Sequence, residues 1–568
     1  MPSLFRVRLA TCALATIAAI AVLQAAPAAA VHWKNAARIG QTVSGLPNGE
    51  VLGSLLAGTL NLRSGRVVFE GKWGTQAQNK ALFAWTDTGG LELLLAIDDS
   101  SIWVEGTEFS LPAQSVFGGT GGAEFVTIDR AATAIPACPG PAPIYQLEVS
   151  FLEDDSGGFV PVVAPGMPVA GIEAGWIFSG GASNYNRVYG APNAAKSSPG
   201  EPASNTNGDI AFYSWIRRAA SFCEFDLMTP YARAVFGPDG AGSYTLAALD
   251  EDPAPGAGDG AALIMDFGLV ELNDAGEIAF QTDVRLGPSG PTIPAIYRWD
   301  AENGLRLVTL SYQPGVFDAD TRLPGVFHFS DGGQVAFVNY AGTALFVEDV
   351  VNGVEERVAA GDPAPGLPAG FTLEDFARWT HFEDTNTSFA FAVNALGDIA
   401  FSGRADFAGG GEPSRLGVWG PDASGALTLR MVDGQDAPGV EGATIDASDR
   451  PPSLIAMSDQ RELLIAATLA GPEPTPRVVY YLIDADGNAQ ILLRSGDGLA
   501  FAPGDFEAVQ SGGPTSFDAD LDHFAFLARS VTNREAIFYG QIPEVGGTAA
   551  GLAAVASLCA LRARRRVA

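Results

Sequence analysis

The sequence is poor in histidine, the residue that most often carries acid–base catalysis and metal binding. It has 4 histidines among 568 residues: His32, His328, His381 and His523. None forms a His-Glu-x-x-His pair, and no Gly-x-Ser-x-Gly nucleophile turn accompanies them. These absences argue against the common zinc and serine hydrolase mechanisms. We expect each isolated histidine in a loop or at the rim of a β fold.

Cysteine is equally scarce, which excludes a zinc site and leaves one candidate disulfide. Of the 4 cysteines, Cys12 and Cys559 lie in the terminal segments, so an exported domain keeps Cys138 and Cys223. Two cysteines without paired histidines make no zinc site. The two lie in neighbouring repeats, and in an oxidising compartment they either form a disulfide or remain separate thiols.

Basic residues are few. The chain has 33 Lys and Arg against 65 Asp and Glu, a formal net charge of −32. A surface of this kind repels nucleic acid and anionic lipid, so we expect neither as a partner. Alternating carboxylates at Asp518, Asp520 and Asp522 are weak Ca²⁺ candidates, although the Gly and distal Glu of an EF-hand loop are lacking. The alternative is solvated turn aspartates, and we expect no other cofactor.

Long apolar runs are confined to the two ends. Residues 1–30 combine a basic start, an apolar run and a small-residue Ala-Ala-Ala site, the pattern of a cleaved secretory signal peptide. Residues 542–568 run from Pro543 and Glu544 through about 16 apolar positions, fewer than the ~20 of a comfortable spanning helix. A basic cluster then follows, which includes Arg564, Arg565 and Arg566. We therefore expect an exported protein whose C-terminus stays on the cytoplasmic side.

This C-terminal segment resembles the PEP-CTERM sorting signal of Gram-negative surface proteins, although Val545 replaces the second proline of the Pro-Glu-Pro motif. The resemblance implies that an exosortase-like membrane protease removes the tail. The alternative is a permanent inner-membrane anchor. Either way, the expected destination of the protein is the cell surface or the extracellular matrix.

Between the two ends, the chain repeats the phrase Asn-x-x-Gly-x-x-Ala-Phe. Degraded copies end at Phe69, Phe337, Ile465 and Phe526. The conserved positions of the three intact copies are Asn205, Gly208 and Phe212; Asn273, Gly276 and Phe280; and Asn394, Gly397 and Phe401. Asn can cap a turn, Gly adopts positive φ, and the following Ile-Ala-Phe is typical of a buried strand. The phrase is therefore predicted to be structural.

The spacing of the phrase predicts the fold. Copies recur about every 64 residues, and a second landmark, clearest at Gly361-Asp362-Pro363-Ala364-Pro365-Gly366, recurs with them. Eight units of three to four strands fit residues 31–541. The last unit lacks its final strand, which the segment after Val31 supplies. We predict an all-β, eight-bladed propeller closed by its N-terminal strand, with seven blades, tandem β-sandwiches or an open solenoid as alternatives.

Together these features resemble exported proteins that carry tandem NxxGxxAF repeats and variable C-terminal anchors. That resemblance implies repeat architecture and surface display, with no reaction attached. We expect a monomeric, non-enzymatic binding or scaffold protein whose partner is an extracellular polysaccharide. The alternative is a propeller enzyme that acts on extracellular glycans through carboxylates at its central channel, but no catalytic constellation is recognisable in the sequence.

Overall fold

The structure is a computed structural model that describes residues 32–542 with internal gaps. The longest gaps are 97–107, 135–144, 179–202, 219–231, 312–326, 377–390, 495–505 and 508–514. One compact unit spans Lys34–Tyr539 and holds the sheets. The other unit joins Met1–Trp33 to Gly540–Ala568, and its described residues are short extensions of the first and last strands.

The described residues form strands and turns without any helix, and the strands build eight antiparallel sheets. The first strand of the chain is β1 (His32–Arg38). Sheets 1 to 4 contain, in chain order, β2 (Leu52–Arg63), β3 (Arg66–Trp73), β4 (Lys80–Thr86) and β5 (Gly90–Ala96); β6 (Glu108–Phe109), β7 (Gln114–Gly118), β8 (Phe125–Ala134), β9 (Tyr145–Glu153) and β10 (Phe159–Val163); β11 (Trp176–Phe178), β12 (Ala203–Ser204), β13 (Ile210–Arg218), β14 (Ala232–Pro238) and β15 (Tyr244–Leu249); and β16 (Ala262–Ile264), β17 (Val270–Leu272), β18 (Ile278–Arg285), β19 (Thr292–Asp300) and β20 (Gly304–Leu310).

Sheets 5 to 8 continue the same plan. They contain β21 (Phe327–Phe329), β22 (Val335–Val338), β23 (Ala344–Asp349) and β24 (Gly353–Ala359); β25 (Phe371–Phe376), β26 (Phe391–Val393), β27 (Ile399–Phe407), β28 (Arg415–Pro421) and β29 (Leu427–Val432); β30 (Thr444–Ile445), β31 (Ser453–Met457), β32 (Leu463–Ala470), β33 (Arg477–Ile483) and β34 (Ala489–Arg494); and β35 (Phe506–Glu507), β36 (Thr515–Phe517), β37 (His523–Ser530) and β38 (Glu535–Gln541).

Each sheet is a four-stranded meander whose first strand is often split in two. In sheet 4, β16 and β17 both pair with β18, which pairs with β19 and then β20. Sheet 8 takes three strand positions from the C-terminal end of the chain and its fourth strand, β1, from the N-terminal end. The Ile39 amide donates to the Glu535 carbonyl just beyond this pairing (3.5 Å). The predicted closure by the N-terminal strand is confirmed.

Every sheet contacts the next in chain order, and the last contacts the first, so the eight sheets form a closed ring. The contacts between consecutive sheets include Arg66 with Glu153, Tyr244 with Val162, Tyr213 with Gln281, Arg298 with Gly333, His328 with Phe391, Leu454 with Ser402, Tyr480 with Phe524, and finally Tyr539 with Trp85. This arrangement is an eight-bladed β-propeller, as predicted. The degenerate second unit forms sheet 2, so the seven-blade alternative is wrong.

The repeated phrase forms the turn between the first and second strands of a sheet. In sheet 3, Asn205 Oδ1 accepts hydrogen bonds from the amides of Asn207 (3.0 Å) and Asp209 (2.9 Å). Gly208 has φ +82°, a region that side chains other than Gly resist. The phenylalanine that ends the phrase, Phe212, is fully buried between sheets. Gly276 and Gly397 take the same positive φ, and Phe280 and Phe401 are buried in the same way.

The second landmark forms the connection from one sheet to the next. An aromatic side chain on the third strand of a sheet holds it: the Tyr297 hydroxyl donates to the Pro255 carbonyl (3.1 Å), and Trp419 Nε1 donates to the Pro365 carbonyl (3.0 Å).

Among the residues that the structure describes, no helix is long and apolar enough to cross a membrane.

Candidate functional site

One position of the repeat carries a different kind of residue in sheets 4 and 5 than in sheets 3, 6 and 7. It lies on the first strand, two residues before the first residue of the phrase, and it pairs across the strand with the Ala position of the phrase. Its side chain is half-buried in sheets 3 to 7, where the occupants are Ala203, Glu271, His328, Ala392 and Ala456. Sheets 4 and 5 thus carry a carboxyl and an imidazole where the flanking sheets carry alanine.

Glu271 and His328 meet between the first strands of neighbouring sheets. Glu271 Oε2 accepts a hydrogen bond from the backbone amide of Phe329, next to His328 on β21. The imidazole Nδ1 lies 3.8 Å from Glu271 Oε1. On its other side, the His328 ring meets the ring of Phe391 from sheet 6 edge-on, with centroids 4.9 Å apart. His328 therefore contacts the first strands of both flanking sheets, as a residue that faces the axis of the ring does.

Direct hydrogen bonds join the turns that follow the first strands of neighbouring sheets. Asn205 Nδ2 donates to the Asn273 carbonyl (3.0 Å), and the Asp274 amide donates to Asp331 Oδ1 (3.0 Å). Between sheets 6 and 7, the Ala395 amide donates to Asp459 Oδ1 (2.7 Å). A chain of turn-to-turn bonds thus fixes the inner edge of the ring, and Glu271 and His328 lie on this fixed edge.

Enclosure shifts both titrations toward the uncharged forms. Burial raises the pKa of Glu271 to about 8, although the Phe329 amide works in the opposite direction. Burial lowers the pKa of His328 to about 4. Their side chains nevertheless remain 24% and 41% exposed. Protein packs around both side chains and leaves one side open to solvent, which accounts for shifted pKa values in partly exposed groups. Between about pH 4 and 8, Glu271 is therefore an uncharged acid beside an uncharged imidazole.

The two groups do not satisfy each other. A separation of 3.8 Å is too long for a hydrogen bond. The carboxylic acid can therefore donate its proton to a ligand, and the imidazole can donate or accept. A cluster of three or more His, Cys, Asp or Glu side chains able to hold a metal ion is absent from the described residues. The chemistry available to this pair is hydrogen bonding and proton transfer.

A buried ion-pair network stands between the same two sheets. Arg298 is only 2% exposed; its guanidinium reaches Glu277 Oε2 (3.0 Å), Glu348 Oε2 (3.4 Å) and the Gly333 carbonyl (3.0 Å). It also lies over the ring of Phe329, 5.6 Å from the centroid. This network fixes the spacing of sheets 4 and 5 and leaves Glu271 without a guanidinium partner among the contacts that the structure describes.

The residues singled out in the sequence fall elsewhere. The phrase residues Asn205, Asn273 and Asn394 are buried in the turns, where their side chains bond backbone amides. Of the Ca²⁺ candidates, Asp522 is an exposed residue in a bend. Asp518 and Asp520, the cysteines Cys138 and Cys223, and the tail residues Pro543, Glu544, Arg564, Arg565 and Arg566 lie outside the described residues.

The expectation that each histidine lies in a loop or at the rim is wrong for His328, which lies within β21 on the inner edge. His32 and His523 are the first residues of strands β1 and β37, and His381 lies outside the described residues. The local sequence does not mark His328 as a functional residue, because its neighbours Phe327 and Phe329 are typical of an ordinary buried strand. Alignment of the repeats on the phrase Asn-x-x-Gly-x-x-Ala-Phe shows where the two copies differ from the others. At the position two residues before the phrase, Glu271 and His328 replace alanine.

Comparison with solved structures returns distant likenesses. A puromycin hydrolase is 14% identical (TM-score 0.32), with 87% of this chain and 62% of that one covered. A puromycin-hydrolysing peptidase of Mycobacterium tuberculosis is 12% identical (TM-score 0.34; 87% and 62% covered). The chain thus spans less than two thirds of either protein. The β-propeller domain of the trilobed protease from Pyrococcus furiosus is 11% identical (TM-score 0.30; 77% and 99% covered).

Comparison by sequence is more specific. No curated protein matches the chain. A family model does match, across residues 190–521, which include both Glu271 and His328. This match covers more than half of the 568 residues. The chain belongs to DUF7453, a family of unknown function.

Proposed function

We propose that this protein is an exported, non-enzymatic propeller that binds an extracellular polysaccharide on the inner edge of its ring. The observation that carries the proposal is the Glu271 and His328 pair, two uncharged and partly open hydrogen-bonding groups flanked by Ala203 and Ala392. Sugars are recognised through hydroxyl hydrogen bonds beside apolar surface, and this position offers both.

The rigidity of the site supports binding. The turn-to-turn hydrogen bonds and the Arg298 network hold sheets 4 and 5 in fixed positions, so the pair is pre-organised. Pre-organisation lowers the entropy lost when a ligand binds. The formal net charge of −32 disfavours polyanions and directs the proposal toward neutral or cationic glycans.

The alternative is a glycan-acting enzyme, and one observation favours it. A carboxylic acid that keeps its proton at neutral pH beside a neutral imidazole is a usable pair for acid–base chemistry. Binding remains the better supported function, because the groups that enzymes add to such a pair are lacking among the described neighbours: no nucleophile and no cation contact Glu271 Oε1, apart from His328.

The test is a glycan array probed with the full-length protein at pH 7, followed by product analysis. We expect retention of one glycan class, weaker retention in Glu271→Gln and His328→Ala, and full retention in Glu356→Gln. Glu356 is exposed on the outer strand β24, which makes its substitution a matched control. Absence of binding to every glycan contradicts the proposal. Appearance of a shortened or unsaturated product assigns the protein to the enzyme alternative.

Export and tail processing are part of the proposal. Mass spectrometry of the mature protein from its own host should find an N-terminus after residue 30 and a C-terminus upstream of Arg564. A mature chain that ends in the arginine cluster favours the permanent anchor. A chain that begins at Met1 and remains in the cytoplasm contradicts export.

A further inference from the structure

We propose that the inner-edge site selects ligands that carry a protonated primary amine, and that a glycan with free amino sugars is the class that fits it. This inference rests on the proposed function and deepens it by naming the group that Glu271 recognises. The argument depends on the residues around this carboxyl, on the aromatic ring of Phe391 beside the site and on the negative net charge of the chain.

Within the described part of the chain, the Glu271 carboxyl has one hydrogen-bond partner, and its second oxygen accepts no hydrogen bond. Its Oε2 accepts the Phe329 amide, whereas Oε1 faces His328 Nδ1 at 3.8 Å, beyond hydrogen-bonding distance. A charged ammonium placed at Oε1 would form a charge-assisted hydrogen bond, about twice as strong as a neutral one. A hydroxyl at the same place would gain only the neutral bond.

Among the residues that the structure describes, the first strands beside Glu271 supply no competing cation. The first strand of sheet 3 offers Ala203 and Ser204, and that of sheet 6 offers Phe391, Ala392 and Val393. The facing strand β21 contributes His328 alone, since its other residues are Phe327 and Phe329. The nearby guanidinium of Arg298 is already shared between Glu277 and Glu348.

The charged groups at the adjacent turns are acidic. Asp274 follows β17 directly, and Asp331 closes the next turn, where its Oδ1 accepts the Asp274 amide. Together with Glu277 and Glu348 around Arg298, this edge of sheets 4 and 5 has more carboxylates than cations. The net charge of −32 adds a long-range attraction for cationic ligands.

One phenylalanine ring borders the position. Phe391 lies against His328 with a centroid separation of 4.9 Å, whereas the ring of Phe329 already lies under the Arg298 guanidinium. An ammonium group is attracted to the face of an aromatic ring. A carboxyl beside an aromatic ring is therefore a combination that can hold an ammonium group.

The inference predicts a proton balance that a calorimeter can measure. Because Glu271 is largely protonated at pH 7, an ammonium ligand must ionise it, and the carboxyl proton leaves to the buffer. A hydroxyl ligand leaves that proton in place. Titration in two buffers of different ionisation enthalpy therefore separates the two kinds of ligand.

The experiment compares a glucosamine hexamer with its fully N-acetylated counterpart, titrated into the full-length protein at pH 7. The two probes differ in the amine alone. We expect the free amine to bind about tenfold more tightly, which is about 1.4 kcal/mol. The net proton release should be less than one, because the amines of the hexamer are only partly protonated at pH 7 and take up protons as they bind. Glu271→Gln should abolish both the preference and the proton release. His328→Ala should weaken both hexamers while the amine preference survives, and Glu356→Gln should change nothing.

The outcomes distinguish this inference from the proposed function. Equal affinity of wild-type protein for both hexamers, with binding weakened in the site variants, overturns the amine class and leaves polysaccharide binding in place. An amine preference that survives Glu271→Gln also overturns the inference, because the general acidic surface then explains it. Failure of both hexamers and of every array glycan removes the two proposals together.

Discussion

Asn205 offers the sharpest test of how the ring is held together, because its side chain serves its own turn and the next sheet at once. Its Oδ1 accepts the amides of Asn207 and Asp209, and its Nδ2 donates to Asp209 Oδ2 (2.9 Å) and to the Asn273 carbonyl (3.0 Å). The side chain is 3% exposed. Asn205→Ala therefore orphans two amides and one carbonyl at an interface between sheets.

The expected cost follows from that count. A buried group left without a partner costs about 1–3 kcal/mol, but the half-exposed amides regain part of it from water, so we expect a total loss of about 2–4 kcal/mol. Asn205→Ser should cost about 1–2 kcal/mol, the value of one to two typical hydrogen bonds. Serine keeps an acceptor for the amide four residues on, as Ser330 does naturally by accepting the Gln334 amide (3.1 Å), but it loses the bond to the next sheet and the bond to the Asn207 amide.

Equilibrium urea unfolding of wild type, Asn205→Ser and Asn205→Ala gives the free energies, and hydrogen exchange of the Asp209 amide gives the local effect. We expect exchange at Asp209 to accelerate in the alanine variant only. Asn273→Ala is the matched control, because the side-chain bonds of Asn273 remain within its own turn, to Glu277. Equal destabilisation by serine and alanine at position 205 would refute the division between turn and interface.

Three further predictions follow from the same contacts. Arg298→Ala should destabilise the fold by about 3–5 kcal/mol in urea unfolding because it breaks a buried pair. Arg285→Ala is the control: its pair with the exposed Glu251 is screened by water, so its loss should be much smaller. Similar losses in the two variants would contradict the buried role of Arg298. The folded protein keeps the Glu271 proton, whereas the unfolded chain loses it above the ordinary pKa of 4.5, so the free energy of unfolding should fall as the pH rises from 4.5 through about 8. In Glu271→Gln this contribution to the pH dependence should vanish. An unchanged pH dependence in that variant would refute the raised pKa of Glu271. Gly276→Ala should cost about 1–2 kcal/mol in the same assay because φ is +79° there, and a neutral result would show that the turn can relax, as Arg461 at φ +68° does in sheet 7.

The architecture was accessible from the sequence because it is encoded redundantly. The phrase recurs in many units, so losing Asn to Ser at 330 or Gly to Arg at 461 leaves the period readable. Closure was predictable for a similar reason: strand β38 near the end of the chain has no successor, and an unmatched strand begins the chain. Periodicity reports the backbone plan well.

The candidate site was not accessible in the same way. Glu271 and His328 are 57 residues apart in the chain, and neither belongs to a motif with fixed spacing. Their proximity exists only because the inner edges of consecutive sheets converge, so a period that reveals the repeat says nothing about which copies deviate. The shifted pKa values come from enclosure by neighbouring sheets, which no local window of sequence contains.

The pairing of β1 with β38 closes the ring, and it joins the two strands that lie furthest apart in the chain. Because synthesis releases a chain from its N-terminus first, β1 emerges before all other strands and must wait until β38 has followed. In loop-closure terms, joining strands about 500 residues apart costs only about 2 kcal/mol more than joining strands one repeat apart. The waiting time matters more, because β1 stays without its partner strand until β38 has emerged. Slow emergence of the C-terminal segment would prolong that interval, and a chaperone that covers an open strand edge would be most useful during it.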